Sequence, residues 1–539
     1  MKKIILLIVC ALFLCTVPVF SQSWQWARKN SSGCFDYTGN PGTYYVNPFA
    51  AADIYGNVYV FGNYYCNEIS FGTDTIYATT TALYYPAMYL VKYDSLGNVK
   101  WLRNLGTEPP DGVGGWGNLA NSVAVDASGN IYISGTCFDS SFTCGSISIP
   151  MGRGAFLAKI DSAGNTVWAR SVLRAKGSSV QVDCFNNIYV AGSFNDSVVF
   201  GSIILKDSTN LLPGIFTAKY DSVGNVHWAR GIYGSNLDSY LSNNDPFLTS
   251  DKSGNVILES SGLDTIYIDS IILNLTSTHL GSIIAKYDSS GYLKWAIGLK
   301  DTGYDITSVA TDSLGNIYEC GNMLIKFDYS GNFVWAKTFS YAEPSIITIN
   351  NNNSIIVNGI NAAGEILSKY DSSGILIGTK NVIDSGYSTY GGYDVTDLSL
   401  CVNGNIYVTG IFDANWLTFG HDTLNSPGGT PGHSGDFIFL AKLGYGYPES
   451  IFATRVEAPD PNIYPNPTKG VFEVDFPLIS SDARITIRDI YGKVIETNIV
   501  EAKLPGKTYF DLSEYPSGIY FINIKSENFN FNKKIILNK

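Results

Sequence analysis

Histidine and methionine are scarce in this chain of 539 residues, at four each, and charged residues make up only 15%. No C-x-x-C pair occurs, so zinc-ribbon and thioredoxin chemistry lack support. No Gly-rich phosphate loop or nucleophile elbow is evident. Long helical periodicity is missing, and no second apolar run follows the first 20 residues. Acid exceeds base, and the formal net charge of −12 argues against nucleic acid and anionic membrane as partners. The chain does have abundant aromatics, with 36 tyrosines, and 54 glycines. That composition predicts an all-β protein with many turns.

Lys2 and Lys3 precede an apolar run from Ile4 to Phe20 that closes on V-F-S-Q (19–22). A charged start, a short apolar stretch and small residues before the cut predict a secretory signal peptide over residues 1–21. Of nine cysteines, Cys10 and Cys15 fall in this segment, leaving an odd number. Cys137 and Cys144 bracket F-D-S-S-F-T, a spacing that fits a disulfide across a strand–loop–strand segment in an oxidising compartment.

Residues 22–445 form a repeat array. One unit is strand, D-x-x-G-N turn, strand, as in A-V-D-A-S-G-N-I-Y-I-S-G (124–135). A second is A-F-L-A-K-I-D-S-A-G-N-T-V-W-A-R (155–170), which returns as F-T-A-K-Y-D-S-V-G-N-V-H-W-A-R (216–230). Asp accepts backbone N–H bonds and Gly supplies the left-handed residue, so two strands pair across a short loop. The K-[YIF]-D strand recurs at Lys92, Lys159, Lys219, Lys286, Lys326 and Lys369, and a seventh copy at Lys442 ends in Leu-Gly. The last copy has no strand after it, whereas S-W-Q-W-A-R (23–28) has no repeat before it. The spacing therefore predicts four-stranded blades with the last completed by the N-terminal strand: a seven-bladed β-propeller. The pattern resembles the bacterial seven-bladed propeller repeats that end in a Lys–Asp–Gly–Asn–Trp strand. Two copies depart from it: the middle excursion nearly vanishes at G-N-M-L-I-K-F-D (321–328), and Gly378 stands where Trp is expected. Six blades, or two sandwiches, remain the alternatives.

Residues 446–462 read as a Pro-containing linker, and residues 463–539 as a small Ig-like β-sandwich. The tail opens I-Y-P-N-P-T-K-G-V-F (463–472), continues I-R-D-I-Y-G-K-V-I (487–495) and S-G-I-Y-F-I-N-I (517–524), and ends K-K-I-I-L-N-K. These motifs resemble the type A C-terminal sorting domain of Bacteroidetes proteins exported by type IX secretion. The resemblance implies that Tyr464, Pro465, Asn466, Pro467, Gly470, Gly492 and Gly518 carry the sorting motif. It also implies the secretion machinery as a partner, and an extracellular or outer-surface location.

A residue present in every blade is scaffold first, so the repeated Lys, Asp and Trp are structural by default. Function is expected on the face with the longer loops. The ligand candidates there are Tyr64, Tyr65, Tyr84, Tyr85, Trp116 and Trp416, rigid amphipathic groups suited to glycan or protein contact. No catalytic residue, metal ligand set or cofactor is assigned, and no transmembrane segment is expected in the mature chain. The reading is a secreted or cell-surface binding or adhesion protein. The alternatives are an extracellular carbohydrate-active hydrolase or lyase, and a structural cell-envelope protein.

Overall fold

The computed structural model of the chain describes residues 22–31, 47–64, 68–78, 86–106, 118–206, 214–237, 246–275, 281–300, 308–339, 342–361, 364–381, 393–412, 416–425, 437–445, 462–476, 483–489, 493–500, 506–526 and 529–539. The signal-peptide segment lies outside the described residues. Every described regular element is a β-strand. The chain divides into two compact units, Met1–Gly446 and Tyr447–Lys539.

In the first unit, strands pair with their sequence neighbours in antiparallel groups of four. Phe49–Ala52, Val58–Tyr64, Ala87–Tyr93 and Val99–Leu105 form the first group. Leu119–Val125, Ile131–Cys137, Gly154–Ile160 and Thr166–Leu173 form the second. The third is Ala175–Val182, Ile188–Phe194, Gly214–Tyr220 and Val226–Asn236. The fourth is Phe247–Ser250, Val256–Ile268, Gly281–Tyr287 and Leu293–Leu299. Ser308–Thr311, Ile317–Cys320, Met323–Phe327 and Phe333–Thr338 follow as the fifth, and Ala342–Ile349, Ile355–Asn361, Gly364–Tyr370 and Leu376–Asn381 as the sixth. The seventh combines Tyr393–Leu400, Ile406–Phe412 and Phe437–Tyr445 with Gln22–Lys29, where Trp26 faces Lys442 and Ala27 faces Ala441.

The first strands of successive groups lie side by side, and Phe49–Ala52 touches both Leu119–Val125 and Tyr393–Leu400. Second strands such as Val58–Tyr64 and Ile131–Cys137 are buried along their whole length. Being covered on both faces, they open on unbroken apolar runs, V-Y-V-F (58–61) and I-Y-I (131–133), rather than alternating ones. The cores run across group boundaries, as where Ile257 and Ile284 pack with Ile317 and Phe327.

The repeated turns close by one mechanism. Asp94 Oδ1 accepts from the N–H groups of Leu96 and Asn98, and its Oδ2 accepts from Asn98 Nδ2. Gly97 sits at φ +80°, where a β-carbon would also come within 2.8 Å of the Trp26 ring. That contact belongs to a latch between groups. Trp101 Nε1 and Lys92 Nζ both donate to Ser162 O in the next group, at 3.2 and 3.1 Å, and Arg103 Nε donates to Gly164 O at 3.0 Å. Trp168, Lys159 and Arg170 repeat this on Ser222 and Gly224. Trp228, Lys219 and Arg230 repeat it on Ser289 and Gly291. Trp26, Lys442 and Arg28 make the same set to Ser95 and Gly97 of the first group.

The sixth group has the lysine, Lys369, but Gly378 and Lys380 stand at the Trp and Arg positions. The next group has no D-S-x-G turn to receive a latch there, because its outer two strands come from distant parts of the sequence. Loss of the tryptophan thus coincides with loss of its acceptor.

In the groups other than the fifth and sixth, a hairpin follows the second strand. Its return strand lies along the outer strand of the same group: Asp74–Tyr77, Ile147–Pro150, Ile203–Lys206, Ile271–Leu275 and Asp422–Asn425. In the fifth group only Gly321 and Asn322 separate the second and third strands, and in the sixth only residues 362–363 do.

The second unit holds two sheets. Asn462–Tyr464, Val471–Phe476 and Gly506–Asp511 form one, and Val494–Val500, Ala483–Asp489, Gly518–Ser526 and Phe529–Leu537 form the other. Phe472, Val474, Ile485, Ile487, Ile522 and Ile535 are among its buried core residues.

Candidate functional site

The aromatic candidates are not one patch among the described residues. Tyr64 is fully buried, and its hydroxyl donates to Asn104 Oδ1 at 3.1 Å. This corrects its assignment as a surface contact: Val58–Tyr64 is covered on both faces, so the residue closing it points into the core. Burial pushes its phenol above the ordinary range. Tyr65, Tyr84, Tyr85 and Trp116 lie outside the described residues. Trp416 opens the hairpin strand Trp416–Phe419 and is 38% exposed.

Several described apolar groups that reach solvent sit at the tips of the short turns, Tyr55, Phe185, Leu314, Val402, Leu96 and Tyr329, while others lie on strands, as Val167, Val199 and Phe333 do. Each of the turn residues occupies a variable position of a D-x-x-G-N-type turn, or of its Cys401 or Asn186 variants. Reasoning from loop length passes over them, because short turns are read as scaffold.

The repeated charges are engaged internally. Tyr59, Tyr132, Tyr189 and Tyr318 donate to the turn aspartates Asp53, Asp126, Asp183 and Asp312 at 3.0 to 3.2 Å. The matching lysines Lys92, Lys159, Lys219 and Lys326 lie over those same rings. In the fourth group Ile257 replaces the tyrosine, and Lys286 pairs with Asp251 directly at 2.9 Å, both side chains 5% exposed. Asp53, Asp126, Asp183, Asp251 and Asp312 thus have both carboxylate oxygens occupied. No group of three or more metal-ligating side chains occurs among the described residues.

Three features involve single-copy acids. Asp397 accepts from the N–H groups of Ala50 and Leu398, both at 2.8 Å; burial still pushes its carboxyl up to about 6. Asp139 accepts from Asn118 Nδ2 at 2.7 Å, and burial raises its carboxyl too. Glu259 and Glu319 lie on the facing surfaces of the fourth and fifth groups, each 1% exposed. Ser282 Oγ donates to Glu319 Oε1, while Glu319 Oε2 and Glu259 Oε1 have no hydrogen-bond partner among the described residues. Burial pushes Glu319 up to about 7, and burial with the Glu319 charge holds Glu259 well above the carboxylate range. Both acids interrupt apolar strands, V-I-L-E (256–259) and I-Y-E (317–319), which is the sequence signal that could have found them. Sealed in an interface, they cannot meet a polymeric substrate.

The two thiols Cys137 and Cys144 are buried and unbridged. Cys137 Sγ donates to Ser141 O at 3.5 Å, and Cys144 Sγ accepts from Thr166 Oγ1 at 3.2 Å. A shallow cleft on the outer rim is lined by Arg170, Val199, Phe200 and Ile203, among others. The Arg170 guanidinium there is engaged by the carbonyls of Ala169, Val223 and Gly224.

In the tail, Asn466 Nδ2 donates to Lys534 O at 2.7 Å, and its Oδ1 accepts from Ile536 N at 2.9 Å. Asn466 therefore clips the start of the unit to its last strand. Gly470 is buried at φ +152°, and a β-carbon there would collide with Ser513. Tyr464, by contrast, is 67% exposed, and Pro465 and Pro467 are exposed beside it. Gly518 is exposed at the start of its strand, and Gly492 lies outside the described residues.

Residues 462–538 match the family model of the secretion system C-terminal sorting domain. The tail marks this chain for export. It is an address for the type IX secretion machinery and indicates a surface or extracellular location. Among the described residues, no helix is long and apolar enough to cross a membrane. No curated protein matches the chain. Solved structures that resemble it include a Dos1 propeller, 10% identical over 80% of this chain and 96% of that one, with a TM-score of 0.40. A protein of unknown function from Dyadobacter fermentans is 8% identical over 78% and 99% of the two chains, with a TM-score of 0.38. Another from Bacteroides caccae is 13% identical over 47% and 78%, with a TM-score of 0.29.

Proposed function

We propose that residues 22–445 are a seven-bladed β-propeller closed by Gln22–Lys29, and that the exported protein is a binding or adhesion protein at or beyond the cell surface. Residues 1–21 serve as its signal peptide, 446–462 as a linker and 463–539 as a type A sorting domain. The observation that carries the export part is the sorting-domain match over 462–538. The pairing of Trp26 with Lys442, and the repeated latch onto Ser95, support closure. The engagement of the repeated Asp, Lys and Arg groups within the scaffold favours binding over catalysis. Contact is assigned to Trp416 with Tyr65, Tyr84, Tyr85 and Trp116 on the long-loop face. The partner is a glycan or a protein.

A carbohydrate-active enzyme is the second reading, and Asp397, a half-buried single-copy acid whose carboxyl burial pushes up to about 6, favours it. A glycan array and a pull-down with the full chain, alongside a polysaccharide-turnover assay, separate the two. Retained ligand lost on Trp416→Ala supports binding. Turnover lost on Asp397→Asn, with no retained ligand, overturns it.

A further inference from the structure

A lysine latch holds every boundary between neighbouring groups but one. Lys92, Lys159, Lys219 and Lys442 each donate to a serine carbonyl of the following group, and Lys286 and Lys326 do the same to Tyr329 O and Ser372 O at 3.3 and 2.9 Å. In register, each of these lysines faces a tryptophan of the outer strand. Each also lies over a tyrosine ring of its own group, except Lys286, which pairs with Asp251.

The sixth group lacks the latch piece by piece. Asn350 stands at the turn aspartate, Ile356 at the tyrosine and Gly378 at the tryptophan. Lys369 has no hydrogen bond, ring or acid as partner among the described residues, and burial alone pushes its ammonium below the ordinary range. A buried cation without a partner is costly. An apolar core crosses this boundary, where Ile356 and Leu367 pack with Val395 and Leu398, but apolar cores cross the other boundaries too. Asn351 Nδ2 donates to Val402 O at 3.0 Å across it, between exposed turns. What sets this boundary apart is the latch.

We propose that the ring has a built-in opening between the sixth and seventh groups, which part more readily than any other neighbouring pair, the pair joined through Gln22–Lys29 included. This rests on the closed-ring reading. Parting there uncovers Ile356, Leu367 and Val395 and returns Lys369 to water. It breaks no lysine–carbonyl bond and exposes no indole, whereas parting at any other boundary does both.

The test is labelling of the full chain with N-ethylmaleimide, read peptide by peptide by mass spectrometry. Native thiols report two latched boundaries. Cys320 is buried against Ile347 and Ile355 of the sixth group, and Cys401 Sγ donates to Asp53 O of the first at 3.1 Å. Exposed Cys184 sets the rate of direct reaction. Ile356→Cys, or separately Leu367→Cys, puts a thiol on the unlatched boundary, and Ile284→Cys makes the same truncation on a latched one. Labelling at 356 and 367 should run at least tenfold faster than at 284, Cys320 and Cys401. Trp335→Gly with Lys326→Met copies the sixth group's losses into the fifth. It should speed labelling of Cys320 at least tenfold and leave Cys401 unchanged. The proposal is overturned if 356 and 367 label no faster than 284 and Cys320, or if removing the latch leaves Cys320 as it was. Labelling of Cys401 as fast as that at 356 would show the boundary at the terminal strand open as well, and would overturn the closed ring together with the proposal.

Discussion

Replacing Trp26 with alanine tests the closing strand where it is held most firmly. The indole is 6% exposed, packs 6.0 Å from the Tyr407 ring and donates to Ser95 O at 3.1 Å. Truncating a buried tryptophan costs about 3–5 kcal/mol. In an internal group that loss is spread over a sheet tethered at both ends. Gln22–Lys29 reaches its sheet from a distant part of the sequence and is held there without a covalent turn, by its pairing with Phe437–Tyr445, by Gln22 Nε2 donating to Gly404 O and by Ala27 N donating to Asp422, so the loss falls on a strand that can peel away. At roughly 1.4 kcal/mol per tenfold, amides of 22–29 and their partners in 437–445 should exchange about a hundred- to a few-thousand-fold faster. Trp101→Ala, equivalent in register, should leave exchange at 22–29 nearly unchanged. Hydrogen exchange with mass spectrometry reads both. A change below tenfold at 22–29 in Trp26→Ala, or equal opening there in Trp101→Ala, would refute the reasoning.

The buried acids give a pH dependence. Glu319, raised from 4.5 to about 7, favours the fold when protonated, and Glu259 acts in the same direction. Their contribution is complete below about pH 4.5 and is lost as pH rises through about 7. Melting midpoints should fall across that window, and Glu319→Gln should flatten the fall; a parallel curve for the variant counts against the pair. In the tail, Asn466→Ala leaves Lys534 O and Ile536 N without their partner, at a cost of about 1–3 kcal/mol, so exchange at Phe529–Leu537 should quicken. Tyr464→Ala should leave that exchange unchanged yet reduce export from the native host, and full export would remove Tyr464 from the machinery contact. Because Asp53, Asp126, Asp183, Asp251 and Asp312 have both oxygens occupied by the scaffold, and no group of three or more metal-ligating side chains occurs among the described residues, EDTA should not lower the melting midpoint; a drop of several degrees would reveal a cation site.

The all-β class and the turns were legible because their chemistry is local: Asp, Gly and Asn within five residues determine the Asp94–Asn98 loop. Gly378 was legible as a departure, but its reason is not local. It lies in the missing turn of the neighbouring group, which only strand pairing reveals. Tyr64 was misjudged because Y-Y at 64–65 does not say which ring faces inward. Glu259 and Glu319 meet across a group boundary 60 residues apart in sequence, so neither marked the other. The shortened connections at 321–322 and 362–363 were legible as missing excursions between strands.

A cross-link between the two distant parts of the first unit is the most direct measurement. Ala27 and Ala441 face each other as Ala158 and Ala169 do in the second group. Cysteine pairs placed at 27 with 441, and at 158 with 169, should both oxidise in the folded chain and yield disulfide-linked peptides in a protease digest. If only the 158–169 pair links, Gln22–Lys29 is not the fourth strand of the last sheet, and the closed architecture fails.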